Sequence, residues 1–246
     1  MSVGVLVLGC LAVLVAAFTM SLTGFGFALV AAPLLLFLFE PKTVVIVNVI
    51  LGAIICLLIL GQSRRHVKAG RTALLAAGSI FGIPLGAYIL SHAPVSVLRM
   101  LMAALVVIFA VPLALGHSHR FKREGLGSTI SGFVSGMLAS STSLSGPPVV
   151  LFLLNQGWER ESFRATLAIY FLFCSLMALI AIGLSGFLTS DLLVTVSTFV
   201  PAVLLGFYLG TRVAPRVNTT LFRRISILVV LLAGLLGVAT SLPALL

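Results

Sequence analysis

Long, unbroken runs of apolar residues limit what this chain can fold into. Six runs are each long enough, at 1.5 Å per helical residue, to cross a hydrocarbon core about 30 Å thick. These runs are residues 43–60, 72–90, 97–115, 165–184, 192–210 and 221–239. Of the 246 residues, 61% are hydrophobic and 8% are charged, whereas soluble domains carry about 25% charged residues. The sequence therefore excludes a water-soluble domain and predicts an all-α polytopic membrane protein.

Two further apolar stretches, 3–39 and 126–155, are interrupted in the middle by small polar residues. The interruptions lie at 19–26 and 140–146. The arms of the second stretch are read as about 10 to 14 residues, or about 15 to 20 Å of helix, too short to cross the membrane. Each stretch is predicted to be a re-entrant hairpin that returns to the side from which it starts.

The positive charge of the chain is concentrated in loops. Fifteen Lys and Arg against five Asp and Glu give a formal net charge of +10. The basic residues cluster between apolar runs at 61–71, 120–123, 160–164 and 212–224. A cytoplasmic excess of Lys and Arg is the ordinary topology signal of membrane proteins, so these loops, including Arg160 and Arg164, are assigned to the cytoplasm. This assignment predicts a multi-pass protein of the cell (inner) membrane with both termini non-cytoplasmic and no nucleic-acid partner.

The two halves of the chain resemble each other. Residues 18–37 match 133–152 at an offset of 115, which aligns Pro33 with Pro148. Residues 82–99 match 206–223 at an offset of 124. Because each half has three crossings, an odd number, the second half is expected to be inverted relative to the first.

The predicted fold is therefore two inverted repeats, each a re-entrant hairpin plus three transmembrane helices. The first repeat is 1–115, a cytoplasmic linker is 116–125, and the second repeat is 126–246. Inverted repeats with interrupted helices near the midplane are typical of secondary transporters.

The small polar residues at 140–145 have two interpretations. Hydroxyl side chains let helices approach closely and bond to backbone carbonyls. Alternatively, a hairpin tip exposes backbone N–H groups at the start of its second arm, where the helix dipole attracts an anion. Pro147 and Pro148 favour a helix start near Ser145, because proline is common in a first turn.

The predicted substrate site lies between the two hairpin tips. Its residues are Thr23, Gly24, Gly26, Asn48, Ser143, Ser145, Gly146 and Pro147. For Asn48, an amide in an apolar helix, a bond to a neighbouring helix and a role in binding both stay open. No Lys or Arg is expected at this depth, and no Asp, Glu or His falls at the centre of an apolar run. Neither a metal site, a cofactor nor a proton relay is predicted.

The run Gly24-Phe25-Gly26-Phe27, then Pro33, Asn48 and Ser145-Gly146-Pro147-Pro148, resembles the TauE/SafE family of sulfite exporters over essentially the whole chain. The resemblance implies export or uptake of small sulfur-containing or organic anions such as sulfite, sulfonates or thiosulfate. Many members carry three glycines in each hairpin, whereas the second hairpin here has Ser143, Ser145 and Gly146.

The predicted function is a secondary membrane transporter, an exporter, of a small anion such as sulfite, a sulfonate or another organic acid. Its expected partners are this anion and the lipid bilayer, with a homo-oligomer left open. A passive anion channel and a non-transport membrane scaffold are the alternatives. An enzyme is not predicted, because a nucleophilic serine needs a base within hydrogen-bond reach and no Lys or His lies at comparable depth.

Overall fold

A computed structural model describes residues 3–66, 69–115, 124–154 and 160–214. Within these ranges the regular elements are helices and no strand occurs. The helices are α1 (Val3–Thr23), α2 (Phe27–Leu35), α3 (Pro41–Ser63), α4 (Ala69–His92), α5 (Val95–Leu115), α6 (Glu124–Thr142), α7 (Gly146–Leu154), α8 (Arg160–Leu184) and α9 (Ser190–Val213), with a 3₁₀ turn at Arg64–His66.

Five spans in the described part of the chain are long and apolar enough to cross a membrane. They are Val3–Thr23, Pro41–His66, Thr72–His92, Glu161–Leu184 and Ser190–Val213. Four of the six predicted crossings coincide with these spans, in α3, α4, α8 and α9, and a fifth, 97–115, coincides with helix α5. The sixth, 221–239, lies outside the described residues. The prediction of a helical, multi-pass membrane chain is confirmed for the residues described.

Each predicted hairpin is a long helix followed by a short one. In the second hairpin α6 has 19 residues and α7 has nine, which correspond to about 28 and 13 Å. The prediction of two short arms is therefore wrong for the first arm. The apolar count missed it because α6 packs small residues against α4 inside the protein: a Cβ added at Gly132 would lie 2.1 Å from the Leu75 carbonyl oxygen.

The interruptions between the paired helices have the same local geometry. The residues after Thr23 and Thr142 both have positive φ, 81° at Gly24 and 62° at Ser143. Each threonine hydroxyl then accepts a hydrogen bond from the backbone N–H two residues later, at 3.2 and 3.4 Å. We call residues 23–26 the first break and 142–145 the second break.

The two breaks suggest a different internal alignment. Pairing the breaks by their geometry places Thr142 with Thr23, an offset of 119. The offset of 115 instead pairs Pro148, in the first turn of α7, with Pro33, in the last turn of α2. Aligning proline with proline ignored the position of each proline in its helix.

Close packing of glycines on backbone sets the direction of two helix pairs. A Cβ added at Gly82 of α4 would lie 2.1 Å from the Phe133 carbonyl oxygen, and one at Gly86 would lie 2.0 Å from that of Met137. The contacts advance in the same direction along both chains, from Gly82 with Phe133 to Gly86 with Met137, so α4 and α6 run parallel. Small residues allow helix backbones to come this close in membrane proteins.

Helices α1 and α9 form a second parallel pair. A Cβ added at Gly206 would lie 2.4 Å from the Leu14 carbonyl oxygen, and one at Gly210 would lie 2.8 Å from that of Phe18. The first hairpin is thus packed against α9 as the second hairpin is packed against α4.

Polar contacts define the two ends of the helix bundle. Ser63, the last residue of α3, donates to Glu161 Oε2 at 3.3 Å, so α3 ends where α8 begins. We call this the basic end, because the exposed Arg64 and Arg65 follow directly. At the opposite end Lys42 Nζ donates to the Ser91 carbonyl oxygen at 3.2 Å, joining the start of α3 to the end of α4.

The C-terminal end of α9 also lies at the basic end. Gly210 packs on Ser21, since a Cβ added at Gly210 would lie 2.5 Å from the Ser21 Cβ. The Ser21 carbonyl oxygen in turn accepts from Arg164 Nη2 in the first turns of α8. Arg64 and Arg212 therefore lie at the same end of the bundle.

We expect single cysteines at Arg64 and Arg212 to react with a membrane-impermeant thiol reagent from the same side of the membrane, and a cysteine at Ser185 from the other. Cys10 is first replaced by alanine, because it is the native cysteine that is partly exposed. Labelling of intact spheroplasts and of inverted vesicles checks the prediction. Reaction of positions 64 and 212 from opposite sides would contradict it.

Candidate functional site

A cavity of about 50 Å³ lies between the two breaks. A water molecule needs about 10–15 Å³ of such cavity volume, so the cavity has room for a few waters or one small polyatomic anion. Its walls come from the start of α2, the middle of α3, the second break and α8. Gly52, the middle residue of α3, and Phe171, one residue from the middle of α8, both line it. The cavity is therefore at mid-depth in the bundle.

Asn48 is the buried amide of this cavity, 2% exposed. Its Nδ2 donates to Ser143 Oγ at 3.2 Å and so connects α3 with the second break. Its Oδ1 has no hydrogen-bond partner among the described residues. A buried polar atom without a partner costs about 1–3 kcal/mol. A water, or a ligand that carries an O–H or N–H donor, would remove that cost, and the second Nδ2 hydrogen could donate to an anion.

The start of α2 lies at the cavity and carries backbone N–H groups that have no acceptor within the helix. The first hydrogen bond within this helix runs from Val30 N to the Gly26 carbonyl oxygen at 3.1 Å. The N–H groups of Phe27, Ala28 and Leu29 precede it and have no acceptor within the helix. All three residues line the cavity. The N-terminus of a helix attracts anions because its N–H groups and its dipole are positive.

The second short helix offers fewer donors. Helix α7 begins at Gly146, and the next two residues are Pro147 and Pro148, which have no N–H. Ser145 and Ser175 also line the cavity, and among the residues that the structure describes no charged side chain does. Such a site would compensate negative charge by dipoles and neutral hydrogen bonds.

Comparison with known proteins identifies the family of this chain. The family model of the sulfite exporter TauE/SafE matches residues 9–236. The chain belongs to this TauE/SafE family. A Cupriavidus necator protein named "Probable sulfite/organosulfonate exporter TauE" is 26% identical over 184 residues, 73% of this chain and 71% of the relative. No solved structure matches the chain. The resemblance seen in the sequence is confirmed, and this TauE/SafE protein is a membrane anion transporter.

The structure brings together five of the eight residues predicted for the site. Those that line the cavity of this TauE/SafE protein are Gly26, Asn48, Ser143, Ser145 and Gly146. Of the other three, Thr23 caps the first break, Gly24 packs on α8, and Pro147 is buried in the first turn of α7. A Cβ at Gly146 would meet Phe171 at 3.7 Å, an ordinary contact, whereas Gly26 is held at φ 93°.

Several lining residues were missed by the sequence analysis. On α3, Val49, Gly52 and Cys56 follow one another at helical spacing along one face, and all three line the cavity. Phe171 and Ser175 do the same on α8. The spacing is visible in the sequence, but apolar residues at this spacing are typical of any buried helix face.

Arg164 is the main correction to the site. The sequence analysis placed it in a basic loop and expected no arginine near the hairpin tips, but it lies in α8 and is only 6% exposed. Its Nη2 donates to the Ser21 carbonyl oxygen at 2.7 Å. Its side chain also packs on the first break: a Cβ added at Gly24, where φ is 81°, would lie 2.7 Å from Arg164 Cγ. A cation therefore lies directly beside the first break.

The hydroxyl cluster at 140–145 divides between the two interpretations. Ser140 donates to the Ile83 carbonyl oxygen of α4 at 2.7 Å, and Ser141 donates to the Met137 carbonyl oxygen one turn earlier. The first bond joins α6 to α4, and the second stays within α6. Ser143 and Ser145 line the cavity, but Ser143 Oγ also donates to the Thr142 carbonyl oxygen, and the Ser145 carbonyl oxygen accepts from Ser135 Oγ at 2.6 Å.

Proposed function

We propose that this TauE/SafE protein is a secondary transporter that exports a small sulfur-containing anion, sulfite or a sulfonate, and binds it in the cavity between the two breaks. The observation that carries the proposal is a mid-depth cavity where the N-terminus of α2 meets the buried amide of Asn48, whose Nδ2 donates to Ser143 and has a second hydrogen for an anion. The C. necator relative bears the name of a sulfite/organosulfonate exporter.

The chemistry of the cavity suits a small anion. An anion that leaves water needs its charge compensated, and the N–H groups at the start of α2 supply donors together with a positive helix end. Ser145 and Ser175 add hydroxyls, whereas the Ser143 hydroxyl already donates to the Thr142 carbonyl oxygen. Because each hydrogen bond to a charged group contributes about 1.5–3 kcal/mol, several such donors together can replace the hydration of the anion.

The proposal includes an inverted repeat. Three features support it: the two breaks share one cap geometry, each lies between a long and a short helix, and each long helix packs in parallel on a glycine-bearing helix of the other half. The first break lies towards the basic end, beside Arg164, and the second contacts Asn48 on the other side of the cavity. Alternate movement of the two breaks would open the cavity to one end at a time.

The basic end is proposed to face the cytoplasm. Arg64, Arg65 and Arg212 are all exposed there, as the excess of positive residues on cytoplasmic loops requires. In this orientation the first break separates the cavity from the cytoplasm. The first helix then starts on the non-cytoplasmic side of the cell membrane.

Flux measurements in proteoliposomes test the proposed function. Radiolabelled sulfite and methanesulfonate should enter with a rate that saturates, and unlabelled anion on the far side should accelerate the exchange. Empty liposomes and labelled choline are the controls. Flux no greater than that of empty liposomes would contradict transport. A flux that rises linearly with anion concentration and is not accelerated by unlabelled anion on the far side would indicate a channel instead.

A further inference from the structure

Two cations lie on the cavity-lining faces of the two central helices. On α3, Lys42 precedes Val49 by seven residues, and on α8 Arg164 precedes Phe171 by seven. Residues seven apart share one face of a helix and are separated by about 10 Å along its axis. Val49 and Phe171 both line the cavity. One cation therefore lies about 10 Å from the cavity towards each end of the bundle.

Arg164 is held against the first break at the basic end. Besides its bond to the Ser21 carbonyl oxygen, its Nη1 is 3.6 Å from Glu161 Oε1. The Glu161 side chain is 49% exposed and also accepts from Ser63. The carboxylate is thus at the solvent edge, while the guanidinium lies between it and the break.

Lys42 has the corresponding place at the opposite end. It is partly buried, its Nζ donates to the Ser91 carbonyl oxygen at 3.2 Å, and it lies 4.7 Å above the Phe187 ring. Both contacts are with uncharged groups, so they hold the ammonium in place without cancelling its charge. The exposed Arg65 differs from both cations, because it lies on the 3₁₀ turn after α3 and faces outward.

We propose that Arg164 and Lys42 are the charge-selecting residues of the anion path, one on each side of the cavity. This inference rests on the proposed function and adds residues that contact the anion before and after it occupies the cavity. A fixed cation beside a low-dielectric path raises the local concentration of anions and rejects cations. The described residues that line the cavity include no charged side chain, so these two residues would supply the selection by charge.

Removal of one cation should slow transport at low substrate concentration. At about 10 Å and an effective dielectric constant of about 20, the loss of one unit charge corresponds to about a tenfold change. We expect Arg164→Gln and Lys42→Gln each to lower the initial sulfite or methanesulfonate flux about tenfold and to weaken its dependence on ionic strength. Arg164→Lys and Lys42→Arg, which keep the positive charge, should keep most of the flux and most of its dependence on ionic strength. Arg65→Gln is the matched control.

A variant that removes a negative charge, and is expected to raise the flux, separates selection by charge from a structural role. Glu161→Gln removes the carboxylate beside Arg164 and should raise the flux at low substrate concentration severalfold, whereas loss of a purely structural contact would not raise it. Lys42→Gln, at a partly exposed position, keeps the test decisive even if Arg164→Gln fails to fold. If Lys42→Gln transports as Arg65→Gln does, the inference is wrong. If the parent protein carries neither anion, the proposed function itself is wrong.

Discussion

Replacing Gly82 with valine is expected to leave little folded protein. A Cβ at this position would lie 2.1 Å from the Phe133 carbonyl oxygen and 2.8 Å from the Met137 backbone nitrogen, so α4 and α6 would have to separate. A backbone cannot move aside as a flexible side chain can. We expect a loss of stability of more than about 3 kcal/mol, at the upper end of what overpacking in a core causes.

Gly61→Val is the matched control for this variant. Gly61 lies in the last turns of α3, is exposed, and has nothing within 4 Å of an added Cβ. Thermal denaturation and the monodisperse fraction in detergent are the measurements. Denaturation of Gly82→Val at the same temperature as Gly61→Val would show that α4 and α6 do not pack as described.

Replacing Asn48 with leucine, which has a similar shape, should weaken substrate binding strongly while leaving the fold intact. The amide makes one hydrogen bond to Ser143 but buries an oxygen that has no partner among the described residues. Leucine loses the bond and also removes the unpaired oxygen, so the net change in stability should be small. A contact to a charged ligand contributes about 1.5–3 kcal/mol, so the affinity should fall about ten- to a hundredfold.

Ser185→Ala in the loop between α8 and α9 is the control for Asn48→Leu, because Ser185 is exposed and donates to the Ala181 carbonyl oxygen. Substrate affinity, flux and thermal stability are measured on both variants. Normal flux in Asn48→Leu would place the site elsewhere. A parallel loss of flux and stability would indicate that the amide only connects α3 with the second break.

The sequence was sufficient to predict most helices, because apolar length determines them. Five predicted crossings coincide with helices in the described part of the chain. Helix α6 was predicted to be too short because glycines such as Gly132 and Gly136 add little to the apolar count. In the structure both glycines pack closely on the backbone of α4. Hydropathy depends on the type of each residue and contains no information about the helix against which that residue packs.

Site residues were predictable from the sequence where the backbone conformation of a turn favours a particular residue type. Gly24 and Gly26 mark a break because both adopt positive φ, which favours glycine. Arg164 was not predictable in the same way. Its sequence neighbours resemble a cytoplasmic loop, and only the fold shows that α8 begins earlier and brings this arginine against Gly24. Long-range packing of this kind leaves no local pattern in the sequence.

The central claim is that a small anion binds between the two breaks, and anomalous X-ray diffraction tests it most directly. Selenite, an analogue of sulfite, is first shown to compete with sulfite for transport, and crystals are then grown with it at a saturating concentration. We predict a selenium peak in the cavity, about 4–5 Å from the Asn48 amide and in reach of the N–H groups at the start of α2. A selenium peak only at another place on the chain would contradict the account.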